Sequence, residues 1–272
     1  MLRLPLSAGA VRKLLREIEA FGSREHVLAV GGAEELAPVL RQQFRRGPAE
    51  PAAVRLGRPE GADVYVHVLA GEVTDADVSV LRRARRARVP VVAVAVSLPK
   101  DVTLPYVLAT DLVPVRAGEP FPLETIARAI AARLGEEAAP LAARVPLLRE
   151  AVCERLVSSF ARKGGVVGAA VWIRGADLPV LALDQLRLVL RLAQAQGAED
   201  ARALVPELAT TLGAGFGLRA LAREALARVP RAGWAVKGAV AYAGTRALGE
   251  AARKRFESVS TPPRAAASRG AP

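Results

Sequence analysis

The residues best suited by type to do chemistry are few and widely spaced. A short apolar run, His26 to Val30, leads into Gly31-Gly32-Ala33-Glu34-Glu35-Leu36-Ala37-Pro38. Glycines behind a first strand invite comparison with a phosphate loop, GxxxxGK[ST]. That loop needs backbone amides to cradle phosphates, a lysine for their charge and a hydroxyl for magnesium. Neither the lysine nor the hydroxyl stands where it is required, and Glu34 and Glu35 would repel phosphate. The segment is expected to be a turn at the sheet edge. A weaker alternative keeps Gly31, Gly32 and Lys100 as an atypical phosphate site. A second glycine run, Gly213-Ala214-Gly215-Phe216-Gly217, lies among helices, whereas a dinucleotide fingerprint must follow a strand. His26 and His67 are the only histidines, and Cys153 is the only cysteine. His67 alternates with Val66 and Val68 and reads as a structural histidine. Asp75 and Asp77 suit the dipole of a helix start. No catalytic residue, metal or cofactor is expected.

One charge run stands out: Arg82, Arg83, Arg85, Arg86 and Arg88. Five arginines in seven residues suit phosphate contacts. A solvated helix face is the favoured reading, because no aromatic is interleaved for base stacking.

The elements that must carry these residues alternate in the first half. Residues 7–21 have helical apolar spacing behind Ser7 as a cap, and Gly22 as a stop. A second helix is expected up to Phe44. Residues 63–69 read as a strand, with a weaker one near 52–56. Thr74 caps a helix to Arg88. Pro90 to Val96 is a β-branched run of the kind covered on both faces. Residues 112–115 form a shorter strand, and 121–134 a helix. Residues 20–135 thus read as a small doubly wound, mostly parallel sheet with helices on both faces. The later sequence has no strand-like runs. One helix is expected over 141–163, broken by Gly164-Gly165. Another runs to about Gln196, with a polar stripe of Asp184, Arg187, Arg191 and Gln194 and burial elsewhere. Further helices are expected over 201–212, 218–227 and 233–256. The domains are therefore 1–140 (α/β), 141–257 (a helical bundle) and a disordered tail, 258–272.

Charge divides the chain as well. Residues 1–140 hold 19 Lys/Arg and 17 Asp/Glu, a net +2. Residues 141–272 hold 20 and 10, a net +10. A basic domain favours an anionic partner. With one cysteine no disulfide forms within the chain, which suits a reducing cytoplasm. The first residues lack the apolar core of a secretory signal, and no charge-free stretch is long enough to span a bilayer.

Three C-terminal segments, RGADLPVLALDQLRLVLRLAQAQG, TLGAGFGLRALARE and VPRAGWAVKGAVAYAGTRALGEAA, resemble in order the helical domain of the bacterial YcjF-like family (domain of unknown function 697). The resemblance covers about residues 150–255. That family is sometimes joined to GTPase domains. ADVYVHVLAGEVTDADVSVLRRARRARVPVVAVAVSLPKD in turn resembles part of a small GTPase. Its GK[ST], DxxG and NKxD motifs are missing, and Ser97-Leu98-Pro99-Lys100-Asp101 stands where NKxD would be. The resemblance implies a degenerate, GTPase-like first domain without catalytic residues.

The expected function is that of a non-catalytic interaction protein, peripheral at the inner face of the cell membrane or bound to a partner protein. Its expected contacts are Trp172, Arg174, Trp234, Lys237, Arg246, Arg253, Lys254 and Arg255, with tryptophan favouring a boundary between apolar and wet surroundings. An atypical GTP-binding switch and nucleic-acid binding through the arginine helix are the alternatives. Nucleic acid is the disfavoured partner class, and self-association is compatible with the same features.

Overall fold

The computed structural model describes residues 7–99, 103–170, 178–198 and 233–260. Helix α1 (Ala8–Gly22) opens where the Ser7 hydroxyl accepts the Ala10 N–H at 3.2 Å. Strand β1 (Leu28–Gly32) follows, then α2 (Leu36–Phe44), the short β2 (Val54–Leu56) and β3 (Val64–Ala70). Helix α3 (Asp75–Arg86) starts in a full capping box. Thr74 accepts the Asp77 N–H at 3.2 Å while the Asp77 carboxylate accepts the Thr74 N–H at 2.9 Å. Such a cap stabilises a helix by about 1 kcal/mol. Strands β4 (Val91–Val96) and β5 (Leu112–Val115) and helix α4 (Leu123–Leu134) complete the alternation.

The strands form one sheet in the order β2-β1-β3-β4-β5, and every ladder is parallel. The chain leaves β1 to one side for β2 and returns to its other side for β3, which is the doubly wound arrangement. Strands β1, β3 and β4 are buried along nearly their whole length, as helices on both faces require. Ala29, Tyr65 and Val91 share one face and pack against Leu81 and Ala84 of α3. Helix α2 packs on β1, β2 and β3, and α4 on β4 and β5. Each fully buried Leu or Ile in these layers stabilises by about 1.5–3 kcal/mol.

The single helix expected over 141–163 is two helices. Helix α5 (Ala138–Arg144) ends before Pro146, and α6 (Arg149–Ala170) begins after a 3-10 turn at Pro146–Leu148. Proline has no N–H and pushes the residue before it out of the helical region; Val145 sits at φ −122°. The Arg149 guanidinium donates to the carbonyls of Ala142 and Ala143, which the end of α5 leaves without a helical partner.

The expected break at Gly164-Gly165 is absent: α6 runs through both glycines to Ala170. Helix α7 (Leu178–Ala195) is buried on most of its circumference. Of the four stripe residues, Asp184, Arg187 and Gln194 are partly exposed, whereas Arg191 is buried and donates to Gln194 Oε1 at 2.9 Å. Helix α8 (Gly233–Ser260) runs past residue 256 into the expected tail. The helices expected over 201–212 and 218–227, and the remaining tail, 261–272, lie outside the described residues.

The chain divides into two compact units, Arg16–Leu156 and Met1–Leu15 with Val157–Pro272. The division falls later than residue 140 because α5 is tied to the α/β unit. Arg144 Nε donates to Glu50 Oε2 at 2.6 Å, its Nη1 donates to the His26 carbonyl at 2.7 Å, and the Glu50 N–H donates to the Arg144 carbonyl at 2.9 Å. The new boundary sharpens the charge asymmetry. Arg16–Leu156 carries 19 Lys/Arg and 19 Asp/Glu, and the other unit 20 and 8, hence the whole +12.

Candidate functional site

Doubly wound sheets hold ligands beyond the C-terminal strand ends, where the strand order reverses. Here that place lies between β1 and β3. A cavity of about 340 Å³ opens there, lined in part by Gly31, Gly32, Glu34, Arg58, Tyr65 and Arg83. Both glycines end β1, and packing accounts for each. A Cβ on Gly31 would run into the Tyr65 hydroxyl and lie 2.7 Å from the Gly57 carbonyl oxygen. Gly32 has φ +103°, and a Cβ there would collide with the Val68 carbonyl. The Ala33 N–H, which a phosphate loop would direct at an anion, donates instead to the Val68 carbonyl at 2.8 Å. With Glu34 in the lining, this end of β1 is a closed backbone turn beside a carboxylate.

Behind the cavity runs a buried hydrogen-bonded chain. Tyr65 and His67 are two residues apart on β3 and so share a face. Each is only 1% exposed. The Tyr65 hydroxyl lies 3.2 Å from His67 Nδ1, and His67 Nε2 lies 2.9 Å from Asp77 Oδ1. The carboxylate can only accept, so Nε2 carries the proton. Nδ1 of the neutral ring then accepts from the Tyr65 O–H. Burial pushes the His67 pKa down, partly offset by Asp77, in keeping with that neutral form. Burial pushes the Tyr65 phenol up to about 12, so it stays protonated at neutral pH. For Asp77 burial opposes charge, but hydrogen bonds from Thr74 and His67 outweigh it and hold the carboxyl below its ordinary value. A phenol this basic is no general base near neutrality. The chain braces β3 against the first turn of α3, and His67 is the structural histidine that its alternation suggested.

His26 has the opposite character. Its Nε2 lies 2.8 Å from the Phe21 carbonyl oxygen and its Nδ1 3.2 Å from Asp63 Oδ1. Both partners only accept, so the doubly protonated ring satisfies both. Burial is the largest influence and lowers the pKa, yet Asp63 and the Phe21 carbonyl together raise it above the ordinary value. Among the described residues no group of three or more His, Cys, Asp or Glu is arranged to hold a metal ion. Cys153 is buried.

The expected partner contacts are only partly visible. Trp172, Arg174 and the alternative phosphate ligand Lys100 lie outside the described residues. Trp234 and Lys237 belong to α8, but their side chains lie outside them too. Arg246, Lys254 and Arg255 are exposed on α8. Arg246 Nη1 donates to the Tyr242 hydroxyl at 3.2 Å. Arg253 is half-buried and pairs with Glu250 at 3.3 Å, so the structure ties it to its own helix.

No family model, curated protein or solved structure matches this chain. The YcjF-like resemblance therefore rests on the sequence segments that suggested it.

Sequence reasoning did not find Tyr65 or Arg83 as cavity residues, nor Asp77 as the partner of His67. The i, i+2 spacing of Tyr65 and His67 was available as a signal. That the N3 carboxylate of α3 faces β3 follows only from how the helix packs.

Proposed function

We propose that this chain is a non-catalytic interaction protein whose basic helical unit docks peripherally on the anionic cytoplasmic face of a membrane. One observation carries the reading: the α/β unit is neutral, and the entire +12 belongs to the other unit. A charge so segregated serves attraction to an anionic surface. The cations of α8 support it. Arg246, Lys254 and Arg255 are exposed, with Lys254 opposite and the two arginines flanking the stripe of Gly238, Ala241, Thr245, Gly249 and Phe256 that the helix buries. Among the described residues no helix is long and apolar enough to cross a membrane. The closed turn at Gly31-Gly32 also supports a role that does not depend on nucleotide.

Vesicle co-sedimentation tests the reading. The chain is expected to pellet with phosphatidylcholine–phosphatidylserine vesicles at low salt, and to release as salt screens the charges. The pair Lys254→Gln and Arg255→Gln should weaken partitioning about 30-fold, taking about 1 kcal/mol per basic residue near the surface. No pelleting at low salt would sink the membrane reading. Capture of an acidic protein by a chain that ignores vesicles would replace it with a protein partner.

A further inference from the structure

The α/β unit is neutral overall, yet it gathers cations at one place. Arg82, Arg85 and Arg86 fall at i, i+3 and i+4 on α3, and Arg88 follows its end; all four are exposed. None has a carboxylate within ion-pair distance among the described residues. The helix dipole favours basic residues in a last turn, but it does not account for Arg88. The Val89 N–H donates to the Ala84 carbonyl at 2.9 Å and the Arg88 N–H to the Arg85 carbonyl at 3.1 Å. This is a Schellman cap with Arg88 at the left-handed position, φ 58°, where glycine is the favoured residue.

The sequence offered no aromatic near these arginines, but the fold supplies one. The Arg85 guanidinium carbon lies 5.3 Å from the centre of the Tyr106 ring. Tyr106 also has a left-handed backbone, φ 69°. Of the three non-glycine residues with positive φ among those described, two are therefore in this patch. Strained backbone of this kind tends to gather at functional surfaces. Val107 packs inward against the buried cluster between β3 and α3 to which Tyr65 and Leu81 belong. On either side of it Tyr106 is 41% exposed and Leu108 56% exposed.

We propose that the end of α3 and the loop over residues 104–110 form a second lipid-binding surface. The four guanidinium groups take the phosphates and carboxylates of anionic headgroups, while Tyr106 and Leu108 enter the boundary between headgroups and acyl chains. Arginine suits phosphate through its fork of donors. An aromatic ring beside an exposed aliphatic suits an interface with one wet and one apolar side. A single-stranded nucleic acid would use the arginines and the ring, but it would leave Leu108 unexplained. The surface stands on residues of the α/β unit and is independent of the docking assigned to the helical unit.

The test uses the full chain with Leu108→Cys carrying a polarity-sensitive fluorophore; the natural Cys153 is buried and does not compete. Phosphatidylcholine–phosphatidylserine vesicles should blue-shift the probe, and phosphatidylcholine alone should not. Replacing Arg82, Arg85 and Arg86 by Gln should weaken the probe-detected binding on the order of 100-fold. Arg88→Gly should raise the melting temperature, by relieving the left-handed strain, while weakening vesicle binding; a loss of stability would overturn the strain argument. A probe that stays wet while the chain still pellets would refute this surface and leave the helical unit's docking intact. A shifted probe in a Lys254→Gln, Arg255→Gln chain that binds vesicles as tightly as before would support this surface and count against the helical unit. A response to oligothymidylate but not to vesicles would overturn the proposal in favour of nucleic acid.

Discussion

His26 and His67 are both buried and both touch a carboxylate, yet they favour opposite protonation states. Burial disfavours the charged ring at both; at His26 Asp63 and a second acceptor together outweigh it, and at His67 Asp77 alone does not. The second partner differs in kind. For His26 it is the Phe21 carbonyl, which only accepts; for His67 it is the Tyr65 hydroxyl, which can donate. The consequences for stability have opposite signs. The raised pKa of His26 gives a contribution that is complete below its ordinary value of 6.5 and is lost as pH rises through the folded value. The lowered pKa of His67 gives one that is complete above 6.5 and is lost as pH falls through the folded value. Urea unfolding midpoints from about pH 5 to about pH 8 should separate them. In His26→Gln, stability should rise with pH up to about 6.5; in His67→Gln, it should fall above that point. Asp77 lies below its ordinary value and titrates outside the window. A His67→Gln chain that gains stability with pH across the whole range would contradict the assignment of His26.

At the scale of elements, the glycines of α6 join helices where the sequence read a break. A Cβ on Gly164 would stand 3.0 Å from Thr245 Oγ1, and one on Gly165 would stand 3.3 Å from Tyr242 Cβ. On the facing helix, a Cβ on Gly238 would stand 3.0 Å from the Gly165 carbonyl oxygen. Small residues on both sides let the backbones of α6 and α8 approach closely, as they do in membrane helices. The approach offsets the roughly 1 kcal/mol that each mid-helix glycine costs relative to alanine. Gly249 extends the seam: a Cβ there would lie 2.8 Å from Val157 Cγ2 and 3.3 Å from Leu188 Cδ2. Gly249→Leu is expected to destabilise by about 1–3 kcal/mol through overpacking. Ala243→Leu, on the exposed side of the same helix, should change stability by less than about 0.5 kcal/mol. Thermal unfolding followed by circular dichroism measures both, and equal effects would mean that the seam is not tightly packed. Beside the seam, Gln185 Nε2 donates to Thr245 Oγ1 at 3.3 Å, giving two buried polar groups a partner.

At the scale of the molecule, the two units differ in charge: Arg16–Leu156 is neutral and the other unit carries the whole +12. The α/β unit has the topology that holds ligands at its switch point, but the end of β1 is filled by the Tyr65 hydroxyl and by a backbone bond to Ala33. Calorimetry with guanine and adenine nucleotides is expected to show no micromolar binding, with or without magnesium. Binding in that range would revive the atypical GTP-switch alternative and assign the cavity of Arg58 and Arg83 to phosphate. The doubly wound sheet was legible in the alternation of elements and in the β-branched run Pro90 to Val96. The shift of the domain boundary was not, because Arg144 reaches Glu50 and His26 across about a hundred residues of sequence.

Local patterns therefore determined much by themselves. The type and order of elements through α4, the Ser7 and Thr74 caps, the mostly buried α7 and the missing phosphate-loop groups follow from residue type and spacing, which act over a few residues. Tertiary structure decided whatever depends on residues distant in the chain. It decided that Gly31 makes room for a tyrosine, that Gly164 and Gly165 meet another helix, that Asp77 faces His67 and that Tyr106 comes to rest beside Arg85. A glycine's freedom is visible in sequence; whether that freedom serves a turn or a close approach depends on the atoms that arrive from elsewhere.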